Sequence, residues 1–141
     1  MHFFYLSGGA AAVRGTTIVG TGSSSSSSSP VWADVIEGTE GDDFIVGTPE
    51  DDQIDSEGGR DRNAGDTFEG DGSGDDNIIS GEGNDNTAGN GGDDNIIGGD
   101  GDDRLTGGIG RDIFVCGEGE DTVTDFNEAE GDIATPDCEN I

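Results

Sequence analysis

Apolar residues in this chain stand almost singly and recur at a fixed interval. Ile45, Ile54, Ile78, Ile96, Leu105, Phe114 and Val123 share one nine-residue frame, in which Asn63 and Thr87 fill the two polar exceptions. That spacing supports no amphipathic helix, which needs apolar positions every three to four residues, and the frequent glycine works against helix as well. It predicts very short strands, each with one side chain turned to an interior. A lone unit cannot bury that residue, whereas a stack of units can.

Cut from Gly38, the frame gives GTEGDDFIV (38–46), GTPEDDQID (47–55) and SEGGRDRNA (56–64). After six extra residues (65–70) come DGSGDDNII (71–79), SGEGNDNTA (80–88), GNGGDDNII (89–97), GGDGDDRLT (98–106), GGIGRDIFV (107–115) and CGEGEDTVT (116–124). The sixth position of all nine units is aspartate: Asp43, Asp52, Asp61, Asp76, Asp85, Asp94, Asp103, Asp112 and Asp121. The fourth is glycine in every unit but the second, where Glu50 replaces it beside Pro49. Glycines at positions one, two and four allow the left-handed backbone of a sharp turn. Such a turn points carbonyl oxygens toward a centre that the following aspartate can also reach. Carbonyl and carboxylate oxygens together are the ligand set of Ca²⁺. An EF-hand reading of Asp71, Ser73, Asp75, Ile78 and Glu82 fails, because Asp76 stands where that loop needs glycine and no flanking helices are expected.

Charge makes the need for a cation acute. The 141 residues carry 33 Asp+Glu against 5 Lys+Arg, a formal charge of −28, with only 28% hydrophobic residues. This is close to the composition of a disordered chain. It excludes nucleic acid as a partner, since binding there requires a basic face, and for the same reason an anionic membrane surface. No apolar run is long enough for a transmembrane segment. The sequence has no H-E-x-x-H motif, no recognisable nucleophile and no phosphate-cradling loop, so it is not expected to be an enzyme.

The units resemble the G-G-x-G-x-D-x-U-x nonapeptide of the RTX family of secreted calcium-binding proteins; 98–106 and 107–115 match every specified position. The resemblance implies an all-β fold, a right-handed parallel β-roll (β-solenoid) of nine repeats with two units per turn, closed by a C-terminal cap. It implies Ca²⁺ between loops on the same edge, held by sixth-position aspartates two units apart and by carbonyls from the glycine turns. The pairs would be Asp76/Asp94, Asp94/Asp112, Asp85/Asp103 and Asp103/Asp121. If 65–70 is only a longer loop, Asp43/Asp61, Asp52/Asp76 and Asp61/Asp85 follow; if it shifts the winding, the partners swap. The turn glycines implied are Gly72, Gly74, Gly81, Gly83, Gly92, Gly99, Gly101, Gly108 and Gly110. About four to seven ions would bind by this pairing, with folding coupled to binding.

Two units per turn would stack Ile79, Ile97 and Val115 on one outer face as an apolar ladder, a candidate self-association surface; β-branched residues that merely suit strands are the alternative. The same winding brings Asn63 and Thr87 together in a thinner core. The D-F-N-x-x-E-G-D stretch from Asp125 is similar to the ends of many proteins in this family. Residues 125–141 are thus expected as a cap, with Phe126 as its plug and Asp125, Asn127 and Asp132 as a possible terminal Ca²⁺ site. Residues 34–124 form the roll. Residues 1–33 read as a leader: an apolar start, a serine run and a Val31-x-Ala33 resembling an export cleavage site, although no Lys or Arg precedes the start. A flexible Gly/Ser leader without an address is the alternative. An even pair of cysteines in a chain that looks exported suggests a Cys116–Cys138 disulfide, with two free thiols as the alternative. The expected setting is extracellular or cell-surface. The expected role is calcium binding, or else a structural subunit of a calcium-stabilised surface layer, adhesin or filament.

Overall fold

A computed structural model describes residues 17–19, 35–48, 51–66 and 74–141. Among them are twelve strands and no helix. Strands β1 (Thr17–Val19), β3 (Phe44–Val46), β5 (Arg62–Ala64), β7 (Asn86–Gly91), β9 (Arg104–Ile109) and β11 (Thr122–Val123) form one sheet in that order. Strands β2 (Val35–Thr39), β4 (Gln53–Glu57), β6 (Asn77–Glu82), β8 (Asn95–Asp100), β10 (Ile113–Glu118) and β12 (Ile133–Ala134) form the other. Every pairing is parallel. Because consecutive strands alternate between sheets, the chain winds as a solenoid and takes two strands to complete each turn. The register is the repeat itself: Ile78, Ile96 and Phe114 stand side by side at intervals of 18 residues.

The best-formed strands are longer than the three residues expected, running six residues from the seventh position of one unit to the third of the next. The cause is a second inward residue. In Asn77–Glu82, both Ile78 and Ser80 are buried, and in Ile113–Glu118 both Phe114 and Cys116 are. The first position therefore faces the core beside the eighth, and only small residues occupy it.

The core falls into two clusters. Ile36, Ile45, Ile54 and Ile78 make the first; Ile96, Leu105, Phe114, Cys116 and Val123 make the second. Between them lies a buried polar belt. Asn63 Nδ2 donates to Thr87 Oγ1 at 3.4 Å and Ser80 Oγ at 3.5 Å, and the two hydroxyls lie 2.6 Å apart. Asn63 and Thr87 thus sit together as expected, with Ser80 as an unforeseen third member.

The extra residues leave the winding intact: Ala64 pairs with Ala88, and Asn77 with Gln53. Their place differs from 65–70. Gly65 N donates to Ala88 O, and Asp66 N to Gly89 O, so these two residues continue the stack at positions one and two. Gly74 lies against Gly92 at position four. The six additional residues are therefore 67–72. Spacing alone could not tell Gly65-Asp66 from Asp71-Gly72, because each pair offers one glycine and one aspartate.

Two strands precede the first unit. β2 pairs with β4 and buries Ile36 at 5% exposure, after a D-x-U-x reading at Asp34–Glu37 that matches the repeat without its glycines. β1 falls within the stretch expected as a leader. Its Thr-Ile-Val backbone covers the free edge of β3, as β-branched segments readily do. The export-signal reading lies outside the described residues.

The cap continues the solenoid. β12 pairs with β10, Asn140 bridges to Thr122, and Phe126, Ala134 and Cys138 pack on the second core cluster. The Cys116–Cys138 disulfide ties this segment to the last turn across a separation of 22 residues. On the chain-entropy argument, a Cys116→Ser/Cys138→Ser variant should lose roughly 3 kcal/mol. Denaturant unfolding measures this, and hydrogen exchange should show amides around 133–140 opening first. An unchanged midpoint would mean the cap holds without the bond.

Candidate metal centre

Each half-turn buries the carboxylate of its sixth-position aspartate. All nine are at most 4% exposed. One oxygen of each later aspartate accepts the amide of the aspartate one turn earlier on the same edge. Asp43 N reaches Asp61 Oδ1 at 2.8 Å, Asp52 N reaches Asp76 at 2.7 Å and Asp61 N reaches Asp85 at 2.7 Å. The series continues with Asp76 to Asp94 at 2.9 Å, Asp85 to Asp103 at 2.9 Å, Asp94 to Asp112 at 3.0 Å and Asp103 to Asp121 at 2.8 Å. All seven expected pairs are thus neighbours, including the three that depended on the insertion.

The turn glycines take the expected backbone. Gly81, Gly83, Gly92, Gly99, Gly101, Gly108 and Gly110 all have φ between 100° and 143°, where only glycine is unstrained. At Gly101 a Cβ would also collide with the carbonyl oxygen of Gly83 in the turn before. The loops nest backbone to backbone, with carbonyl oxygens against the next glycine. Gly72 and the Pro49-Glu50 pair lie outside the described residues.

The second oxygen of most of these aspartates has no hydrogen-bond partner. Oδ2 of Asp61, Asp76, Asp85, Asp94, Asp103 and Asp121 is buried in this state. Burial pushes the carboxyls up, amide donors only partly offset it, and neighbouring carboxylates add to the rise where they are close. Asp76 reaches about 8, Asp61, Asp94 and Asp103 about 7, and Asp112 about 6. Asp85 and Asp121 rise through burial as well. A row of buried, mutually repelling, hard oxygen atoms fits a hard divalent cation. Among the described residues, no three His, Cys, Asp or Glu side chains converge as a ready-made metal cluster. A loop site of this kind would draw its remaining ligands from carbonyls.

Three features escaped the sequence reading. Asp66, in the second position of the lengthened loop, is 1% exposed with neither oxygen in a hydrogen bond of good geometry; burial raises it to about 6, although the Gly91 and Gly74 amides lower it. The fifth position forms a second ladder on the outside. There Arg60, Asp75, Asp93, Asp102, Arg111 and Glu120 donate their amides to Asp42, Asp51, Asp75, Asn84, Asp93 and Asp102 of the preceding turn. The recurrence of Asp or Asn at that position was its signal. The cap extends the inner ladder, since Asp132 accepts from Asp112 N at 3.0 Å and Glu139 from Asp121 N at 3.1 Å. Asp132 also accepts from Asn127 N, and Asp125 accepts from Gly107 N and Gly108 N. The residues expected as a terminal ion site are therefore engaged by amides, which close the end of the roll by hydrogen bonds.

These features define an acidic parallel β-solenoid with an aspartate ladder on each edge. The family described as RTX calcium-binding nonapeptide repeat (4 copies) matches residues 33–62, 66–87 and 88–123, well over half of the chain, and the chain belongs to that family. Its repeats bind Ca²⁺, and its roll is a structural calcium-binding fold. Neither a curated protein nor a solved structure matches the chain.

The raised carboxyls make the metal-free fold pH-dependent. Between the unfolded value near 3.8 and folded values of about 6 to 8, the folded chain holds protons that the unfolded chain has released. Its stability therefore falls as pH rises through that window. Metal-free protein should show strand circular dichroism near pH 4.5 and lose it by pH 8. A metal-free roll that is stable at pH 8 and melts on acidification would reverse the sign.

Proposed function

We propose that the chain is an extracellular calcium-binding module whose folding is coupled to the ion. Ca²⁺ lies between successive loops on each edge, held by the paired sixth-position aspartates and by carbonyls of the glycine turns. The observation that carries this reading is the row of buried Oδ2 atoms without a partner, recurring with the turns. An ion there compensates the burial, and the lesser repulsion, that raise the carboxyls and ties two turns together, so binding energy becomes folding energy. The disulfide supports an oxidising setting, where Ca²⁺ is millimolar and extracellular modules of this affinity fill.

Calcium titration at pH 8, followed by circular dichroism and calorimetry, tests this. The chain should be unfolded in excess EGTA and gain strand signal between micromolar and millimolar Ca²⁺. Asp94→Asn touches two pairs and should raise the midpoint about tenfold or more, a loss of charge-assisted ligation worth roughly 1.5–3 kcal/mol. Strand signal that is the same in EGTA as in Ca²⁺ would overturn the coupling.

A second reading, a structural subunit of a calcium-stabilised assembly, is favoured by one feature. Ile79, Ile97 and Val115 stand in register on the outer face of the β6–β8–β10 sheet and are only half-buried. Sedimentation in millimolar Ca²⁺ separates the two readings. Assembly that is lost on Ile79→Ser/Ile97→Ser supports the subunit; a monomer at all Ca²⁺ levels supports the isolated module.

A further inference from the structure

The loops at the start of the roll are built differently from the rest. In the first unit, Asp43 Oδ2 accepts the Thr39 amide at 2.6 Å and the Thr39 hydroxyl at 2.9 Å. In the second, Asp52 Oδ2 accepts the Thr48 amide at 2.5 Å and the Thr48 hydroxyl at 3.1 Å. Thr39 is 9% exposed and Thr48 is 2% exposed, so both bonds are shielded from water. From Asp61 onward, the equivalent oxygen is without a partner in six aspartates.

The backbone of the two threonine loops also differs from that of the glycine loops. At the second position, Glu57, Gly81, Asn90, Gly99, Gly108 and Gly117 all have φ between 69° and 121°; Thr39, Thr48 and Asp66 are not in that set, and of these three only the threonines carry a hydroxyl that reaches the sixth-position aspartate. A β-branched residue is strongly disfavoured there. Threonine thus selects another turn, and that turn brings its own amide and hydroxyl onto the aspartate.

We propose that Thr39 and Thr48 close the first two loops by hydrogen bonds in place of an ion, confining Ca²⁺ to the pairings that begin at Asp61. The proposal rests on the calcium-binding reading above and assigns which loops carry it out. A hydroxyl and an amide donating to one carboxylate oxygen satisfy its charge and occupy the approach an ion would use. An ion would have to displace both donors and leave them unpaired in a buried site. Of the seven same-edge pairings, the two that include Asp43 or Asp52 drop out, leaving about five ions per chain.

The test is calcium stoichiometry by equilibrium dialysis, with the wild-type chain beside a Thr39→Gly/Thr48→Gly variant at saturating Ca²⁺. Wild type should bind about five ions, and the variant six or seven. A wild-type count of seven, or a folded variant with an unchanged count, overturns the proposal. A wild-type measurement needs no variant to fold: when Cd²⁺ replaces Ca²⁺ in the already folded chain, the carboxyl ¹³C resonances of Asp43 and Asp52 should move far less than those of Asp85 and Asp94. Equal movement of all four overturns the plugs and leaves the calcium reading standing. A chain that binds no Ca²⁺ overturns both.

Discussion

The structure depends on how the sixth-position aspartate divides its two oxygens. One accepts the amide of the matching aspartate a turn earlier, at 2.7–3.0 Å in seven successive pairs. That bond can form only if the next turn returns to the same place, so it fixes the pitch and register of the coil. The other oxygen is buried by the same closure. In six aspartates from Asp61 onward it has no hydrogen-bond partner, and burying a charge in that way is among the most unfavourable things a fold can do. The core offers little to offset it. Each half-turn contributes at most one large apolar side chain and one small residue, far less than a sandwich or bundle of similar length.

The glycines and the carboxylates are two sides of one constraint. Successive strands lie about 4.8 Å apart, and the loops joining them follow at the same spacing. Carbonyls of one loop then press against the α-carbons of the next, as Gly83 does against Gly101. Spacing that excludes a methyl group also stacks aspartates closely enough for their charges to interact strongly in a poorly hydrated interior. The outer ladder relieves nothing on the inner one, but it closes the remaining amides. Inner carboxylates accept from the turn before, and outer ones from the turn after. Each loop is thus tied in both directions through side chains that a β-ladder alone would not use.

Much of this was legible because the repeat writes its geometry directly. An aspartate every nine residues specifies which residues meet, and the three pairings across the longer loop followed once its length was known. What could not be read had physical reasons. The inward turn of the first position is hidden by its size, since Ser80 and Gly98 carry no hydrophobic signature. β2 lacks the glycines that announce a unit, though Asp34 and Ile36 keep its frame. Asp66 belongs to no repeat position that requires an acid. The contrast between threonine and glycine loops was visible as letters, but its meaning lies in φ and in the hydrogen bonds that φ permits.

The roll is therefore not uniform along its axis. At its start, threonine donors close the loops and a cluster of isoleucines fills the interior. At its end, a disulfide, a half-buried phenylalanine and amide-bound cap carboxylates do so. Between the two apolar clusters lies the Asn63–Ser80–Thr87 belt, in the turn that also carries the inserted loop. In a solenoid each turn contacts only its neighbours, so stability is a sum of local interfaces. Where apolar contact is interrupted, the continuity of the coil rests on backbone pairing and on the aspartate ladder. Asp61/Asp85 and Asp76/Asp94 flank that belt on the two edges. The carboxylates nearest the weakest apolar interface thus include the group with the most strongly raised value, Asp76. This part of the coil therefore depends most on its backbone pairing and on the amide bonds of the ladder.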